Sequence, residues 1–360
     1  MDFIVGNLAH IAELDQVKLA EDVGITHYGA GQGPLHSSDP FQFLALAARE
    51  TSTIKLGPYV LDPLTRIAPS VANSLATLNL VSEGRGFLGL GTANSALHAM
   101  GRKSAKPEEL AEAVQVISAL VRGGRIDHTW RGETKAAQLL GAPDAGFFRT
   151  DPDFPIYIAA GGPKGVANAA RYADAILYCA GPNPEFIKLI RRELEKEVAA
   201  AGRAPGSVKL IGLTFFYQLR NGETWEDALT KGFGTTAAMG STISDMGYLK
   251  KFREEIGADI VDQSIAMVQN TIMGDPGEMG AESHLDQWDT YAKGFDERHM
   301  PYISKEILDF WTLYGSPDDL LEKAQLMIES GLDALSVFLY NPFTARRDIA
   351  DIGSSIIARM

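Results

Sequence analysis

The sequence predicts a parallel α/β fold closed as a (β/α)8 TIM barrel. Three observations carry this. Eight short, nearly continuous apolar runs are bounded by Gly or Pro. Helical stretches separate most of them. The 360 residues show no internal repeat and no low-complexity linker. Strands buried on both faces of a parallel sheet have that near-continuous apolar character. Alternation with helices selects a parallel sheet, and eight units favour closure over an open sheet.

The strand runs fall at 3–6, 26–30, 53–60, 86–91, 156–160, 173–178, 208–219 and 332–340. Helices are predicted at 14–23, 40–48, 69–81, 106–121, 164–171, 184–201 and 317–330. The second places Phe41, Leu44, Ala45 and Ala48 on one helical face. The fourth opens on Lys106-Pro107-Glu108-Glu109, with proline early and two acids in its first turn. The stretch 127–155 is polar and irregular and reads as a surface excursion. Segment 221–315, between strands seven and eight, is too long for one helix. Glycines at Gly232 and Gly234 and within 274–280 supply joints. It reads as a mostly helical insertion able to lie over the barrel mouth, inside one domain spanning 1–360.

Composition narrows the function classes. Lys plus Arg number 33 against 46 Asp plus Glu, a formal net charge of −13. Nucleic-acid binding needs clustered cations, and Lys250-Lys251 and Arg346-Arg347 are isolated pairs. No apolar run reaches the ~20 residues of a membrane helix. Residues 1–6 lack the basic and apolar regions of a signal peptide, so a cytoplasmic location is expected. Cys179 is the single cysteine, which excludes an internal disulfide and any multi-cysteine metal site. No His/Asp/Glu grouping has ligand spacing, so no metal is expected.

In such barrels the strand C-terminal ends carry the site. Three segments there stand out. The first is Gly57-Pro58-Tyr59-Val60-Leu61-Asp62-Pro63-Leu64-Thr65-Arg66, a strand end followed by an Asp-Pro turn. The second runs from Ser82-Glu83-Gly84-Arg85 to Gly89-Leu90-Gly91-Thr92-Ala93-Asn94-Ser95. Glycine at a strand end lets a flat ring or sugar chain approach the backbone. The third is Ala160-Gly161-Gly162-Pro163-Lys164-Gly165 opening a helix, where backbone N–H groups and one Lys suit an anion.

In this order and spacing the segments resemble the bacterial luciferase-like flavin-dependent oxidoreductases, near the methylenetetrahydromethanopterin reductase-like branch. Thr51-Ser52-Thr53-Ile54-Lys55-Leu56-Gly57 and Ala173-Asp174-Ala175 fit that pattern as well. The resemblance implies a flavin-type ring lying across the strand ends. Tyr59, Val60, Leu61 and Asp62 would support the ring. Gly91, Thr92, Asn94 and Ser95 would meet its edge or the ribityl chain. Gly161, Gly162, Pro163, Lys164 and Gly165 would hold the phosphate. It also implies a non-proline cis peptide at Tyr59–Val60 or Val60–Leu61, and a homo-oligomer.

One departure bears on mechanism. Where many relatives carry an acid followed by His, this chain has Gln32-Gly33. Gln32 is a candidate catalytic-site residue with His10 and His36, able to hydrogen-bond but not to act as an acid or base. His10 and His36, on the first two mouth loops, are the remaining acid–base candidates. The expected activity is a reduced-FMN-dependent monooxygenase acting on a small organic molecule, with a separate reductase supplying the FMN. The alternatives are hydride transfer with a deazaflavin coenzyme, and a non-catalytic flavin-binding protein.

Overall fold

The computed structural model describes all residues except 93, 142–144, 152–153, 235, 271–283, 286–296, 340 and 342. Eight parallel strands form the barrel wall: β1 Asp2–Leu8, β2 His27–Gly31, β3 Lys55–Pro58, β4 Leu88–Gly91, β7 Ile156–Ala159, β8 Ala175–Cys179, β9 Lys209–Gln218 and β11 Ala334–Leu339. Their order is β3-β2-β1-β11-β9-β8-β7-β4. The predicted TIM barrel is the observed fold.

The last join, β3 to β4, is not a continuous ladder. Leu56 pairs with Gly86, and Leu61 pairs with Leu90. Five steps along β3 thus face four along β4, so the β3 side carries one extra residue, as in a bulge. The non-proline cis peptide Tyr59–Val60 falls inside this stretch, at one of the two predicted positions.

Helices follow the strands on the outside, and their starts explain why they form where they do. Helix α2 (Pro40–Glu50) has Pro40 in its first turn, and the Asp39 carboxylate accepts from Phe41 and Gln42 N–H. Helix α7 (Pro184–Ala200) repeats this with Asn183, which accepts from Phe186 N–H. The helix Pro317–Glu329 is opened by a reciprocal Ser316/Asp319 capping box. Helices α3 (Ala68–Val81), α5 (Pro107–Val121) and α6 (Gly162–Tyr172) complete this part of the layer.

Three elements depart from the sequence reading. The excursion after residue 124 contains an antiparallel ribbon, β5 (Arg125–Trp130) with β6 (Glu133–Gln138), turning at Arg131 and Gly132 with φ of 52° and 81°. Most of its residues are exposed and only Ile126, His128 and Ala137 turn partly inward, too few to print an apolar alternation. Segment 221–315 ends not in a helix but in a short strand, β10 (Thr312–Gly315), parallel to the end of β9. A helix at Ala345–Ser355 follows β11 and packs on α1 (Asp15–Asp22).

The bottom of the barrel is held by charged side chains satisfied by backbone. Arg85 donates to the carbonyls of Ser82, Ile54, Ala48 and Thr51 and to the Thr51 hydroxyl, all at 2.8–3.0 Å. One guanidinium thus ties the C-terminal ends of α2 and α3 to the entry of β3. The Glu21 carboxylate accepts from Ser52, Thr53 and Ile54 N–H and from the Thr53 hydroxyl. Burial pushes its pKa up, but these donors outweigh it and hold the carboxyl at about 2. Asp174 accepts from Ile156 N–H, the first of β7, and Asp333 from Leu210 N–H, the second of β9.

Inside the wall, Tyr59, Phe87, Tyr157, Ile4, Leu177 and Ile211 form a separate buried core. Tyr59 fills the space left by two inward glycines. A β-carbon on Gly6 would come within 2.8 Å of its ring, and one on Gly29 would overlap it. Its hydroxyl bonds Ser336 at 2.6 Å.

Two outcomes test the clamps. Arg85→Ala should lower the unfolding free energy by about 3 kcal/mol, and Arg85→Lys should recover little, because an ammonium cannot serve five acceptors; denaturant titration reads both. Glu21 ionises more readily folded than unfolded, so its contribution is full above the ordinary value of 4.5 and fades as pH falls towards 2. Glu21→Gln should therefore cost roughly 1–2 kcal/mol at neutral pH and almost nothing at pH about 2.

Candidate active site at the barrel mouth

The mouth floor between β3, β4 and β7 is made of small groups. Leu61 N–H donates to the Gly89 carbonyl and Gly91 N–H to the Leu61 carbonyl, both at 2.9 Å. This draws Val60 over the glycines of β4. A β-carbon on Gly91 would sit 3.1 Å from Val60 Cγ2 and 3.3 Å from Ala159 Cβ. Val60, Gly91 and Ala159 therefore adjoin and present only small side chains. Groups this small suit the close approach of a planar group to the backbone.

Tyr59, expected to support the ring, is buried to 2% exposure in the barrel interior beneath this floor. It supports Val60 from below. Asp62 is buried as well. Its carboxylate accepts from Leu64 N–H, Thr65 N–H and the Thr65 hydroxyl, which fixes the turn into α3. Gln32 bridges the second and third loops: its amide oxygen accepts from Asp62 N–H at 3.0 Å, and its amide nitrogen donates to the Thr65 hydroxyl at 2.7 Å. Gln32 is thus a structural strap. Thr92 is half-buried, and its carbonyl accepts from Ala105 N–H. Asn94 and Ser95 lie in the short helix Asn94–His98, and their side chains fall outside the described residues.

The first two loops are joined by Ser38 N–H donating to the Ala9 carbonyl and Ile11 N–H to the Ser38 hydroxyl. His10 is exposed on this pair of loops. His36 is half-buried with its ring packed on Gly33, and burial holds its pKa below the ordinary value. His27 is on the barrel floor, its Nδ1 2.8 Å from the Thr26 hydroxyl, and burial pushes it down to about 4. Cys179 is a free thiol that burial pushes up to about 12, so it is a poor nucleophile. The aromatics along β9 and at the end of the insertion are mostly core: Phe216, Tyr217, Trp311 and Tyr314 are buried, and Phe215 is half-buried.

The third segment forms the N-terminus of α6. Gly161 is the N-cap with no side-chain cap, and Gly162 takes φ of 72°. Lys164 is exposed. The turn is covered by helix α9 (Thr236–Lys251) of the insertion. A β-carbon on Gly161 would overlap the Ser244 carbonyl oxygen and lie 3.0 Å from Asp245 Oδ1; Gly247 sits against Pro163 and Gly162. No sequence signal linked residues 244–247 to this turn. Among the described residues no group of three His, Cys, Asp or Glu could hold a metal, and no helix is long and apolar enough to cross a membrane.

A parallel barrel with a small-residue floor at its mouth and a glycine turn opening a helix belongs with the flavin-type oxidoreductase barrels. The chain is a member of the luciferase-like monooxygenase family, whose model matches residues 9–334. It is 26% identical over 353 residues to a 5,10-methylenetetrahydromethanopterin reductase of Archaeoglobus fulgidus, covering 96% of this chain and 94% of that one. Two solved structures share the fold. One is the coenzyme F420 dependent tetrahydromethanopterin reductase of Methanopyrus kandleri, with a TM-score of 0.70, 20% identity and 99% of both chains covered. The other is the oxygenating constituent of 3,6-diketocamphane monooxygenase from Pseudomonas putida in complex with FMN, with a TM-score of 0.60, 16% identity, and 96% and 92% covered.

Gly161→Ala should force α9 off the turn. Hydrogen–deuterium exchange should rise at 240–249, with a loss of about 1–3 kcal/mol in unfolding free energy. A substitution at Gly162 is less informative, because its positive φ strains any side chain whether or not an anion binds.

Proposed function

We propose that this chain is a hydride-transfer oxidoreductase that holds a deazaflavin coenzyme flat against Val60, Gly91 and Ala159. The observation that carries the reading is the small-residue floor formed where β3, β4 and β7 meet. Similarity along nearly the whole chain to a named reductase supports a reductase, and the coenzyme F420 named for the Methanopyrus kandleri enzyme of similar fold supports the deazaflavin choice. The coenzyme, when bound, supplies a hydride for an electron-poor carbon of a small organic substrate.

The chain's own residues do the rest. Val60 and Gly91 offer the ring a flat contact, and Tyr59 keeps Val60 in place from below. Gln32 locks the second loop to the third and contributes no proton. The titratable side chains on the first two loops are His10 and His36; burial keeps His36 neutral near pH 7, so it is suited to accept a proton. Segment 221–315 acts as the cover that excludes water, within a single elaborated domain. A homo-oligomer in the cytoplasm is part of the same reading.

A second reading is the reduced-FMN monooxygenase, with a partner reductase. The FMN-bound barrel of similar fold favours it. Anaerobic absorbance titrations with the deazaflavin coenzyme and with FMN separate the two. Tight deazaflavin binding, with no substrate-dependent oxygen uptake when reduced FMN is supplied, is the expected result. Coupled oxygen uptake with reduced FMN would establish the second reading instead. Binding of neither cofactor at micromolar concentration removes both and leaves a barrel without this chemistry. Gly91→Ala should weaken ring binding about tenfold by raising a β-carbon from the floor, and its crowding of Val60 and Ala159 should lower the melting temperature as well.

A further inference from the structure

The described residues of the insertion meet the barrel on one half of the mouth. A β-carbon on Gly101, in the loop after β4, would come 3.3 Å from the His284 ring. One on Gly161, after β7, would overlap the Ser244 carbonyl oxygen, and one on Gly181, after β8, would overlap the Phe310 carbonyl oxygen. A β-carbon on Gly232 would overlap the Tyr217 ring near the end of β9. The cover thus lands beside β9, β8, β7 and β4, which are consecutive in the wall.

The other half of the wall is β3-β2-β1-β11, and its loops are tied to each other. Ser38 N–H donates to the Ala9 carbonyl at 2.8 Å, Gln32 links the second loop to the third, and Arg346 after β11 pairs with Asp15 of α1. Each of these four loops carries one large apolar side chain left outside the core: Ile11, Leu35, Leu64 and Phe343, between 44% and 95% exposed. A single exposed leucine is ordinary. One on each of four interlocked neighbours makes a rim, and exposed apolar surface of this kind marks a binding place. The charges beside it are spent: Asp39 pairs with Arg66, Asp15 with Arg346, and the Asp62 carboxylate takes Leu64 and Thr65 N–H. The rim also starts at the floor, because Leu64 lies in the turn that leaves it at Val60 and Leu61.

We propose that Ile11, Leu35, Leu64 and Phe343 form the entry rim of the site, and that its substrate is an uncharged molecule with an extended apolar portion. The proposal rests on the hydride-transfer function above. The cover on the far half leaves this half as the way in. A molecule passing here meets apolar side chains and the exposed His10 imidazole, a poor match for an anion of two or more charges.

The first test adds 2-pentanone, 2-heptanone and 2-nonanone to the protein loaded with the deazaflavin coenzyme and follows the ring absorbance. Each added pair of methylenes should tighten binding about tenfold. Leu35→Glu and Leu64→Glu, at exposed positions that accept a charge, should weaken 2-nonanone about tenfold and 2-pentanone much less. Affinity that does not rise with chain length, or an equal loss for all three ketones, overturns the proposal. The second test needs no cofactor. A diazirine-bearing 2-nonanone and a diazirine-bearing nonanoate are photolysed on the protein and the labelled peptides are mapped. The neutral probe should mark 9–13, 33–38, 62–67 and 343–347, and the carboxylate several-fold less. Trp130, Leu140 and Phe147, exposed in the excursion between α5 and β7, are the internal control. Labelling that follows exposure alone would strike them equally and overturn the proposal. If no ring cofactor binds, the function above fails, and the labelling by itself decides the rim. An oligomer lost in Leu35→Glu or Leu64→Glu, read by light scattering, would make the rim a subunit contact instead.

Discussion

The join between β3 and β4 is the constraint on which the mouth depends. A closed barrel needs its first and last neighbours to bond, and here they bond only at two places. Below, Leu56 N–H reaches the Arg85 carbonyl and Phe87 N–H reaches the Leu56 carbonyl. Above, Leu61 bonds Gly89 and Gly91. Between them β3 carries its extra residue, and Gly57 is pressed so closely on the Phe87 carbonyl that no side chain fits. The extra residue changes which face each side chain takes. Tyr59 turns into the barrel, where Gly6 and Gly29 leave it room, and Val60 is left at the top. A ladder without the bulge would put the next side chain along on the opposite face, and the floor would be lost.

The two ends of the wall divide the work. At the bottom, Arg85, Glu21, Asp174 and Asp333 spend their charges on backbone groups of adjoining segments. Arg85 and Asp174, and the Ser52 to Ile54 N–H groups that Glu21 holds, lie in the stretches that carry the family resemblance: Thr51 to Gly57, Ser82 to Arg85 and Ala173 to Ala175. The resemblance is therefore largely one of barrel construction. Such motifs place a chain in a family and say little of what reacts at the mouth. The mouth itself is assembled from main-chain bonds and small residues, which tolerate many substrates above the same floor.

The barrel was legible because each strand is buried on both faces and each helix starts on a local signal such as Asp39-Pro40 or Ser316-Pro317. These are properties of neighbours in sequence. The ribbon at 125–138 was not legible because only Ile126, His128 and Ala137 turn partly inward, and β10 was hidden because four residues beside β9 make too short a run. The same rule divides the site. The helix N-terminus at Gly161 is a local pattern and could be read. The interior position of Tyr59 depends on glycines about thirty and fifty residues away, and the cover of α9 depends on packing across the insertion. The resemblance alone put Asp62 at the ring; its local Asp-Pro-Leu-Thr turn consumes its carboxylate.

Gln32 sharpens the chemical question. An acid at that position would bring a charge into a half-buried bridge now satisfied by a neutral amide that both accepts and donates. A carboxylate could still accept from Asp62 N–H, but it has no hydrogen to give the Thr65 hydroxyl, and it would sit beside the buried Asp62 carboxylate. The loop here is therefore built for a neutral side chain, and the neutral side chain removes an acid–base group from the mouth. Chemistry that moves a hydride between two carbons needs the least from such a residue: position and dryness matter more than proton supply. A floor of small groups, a locked pair of loops and a helical cover provide those two conditions without any ionised side chain at the reacting face.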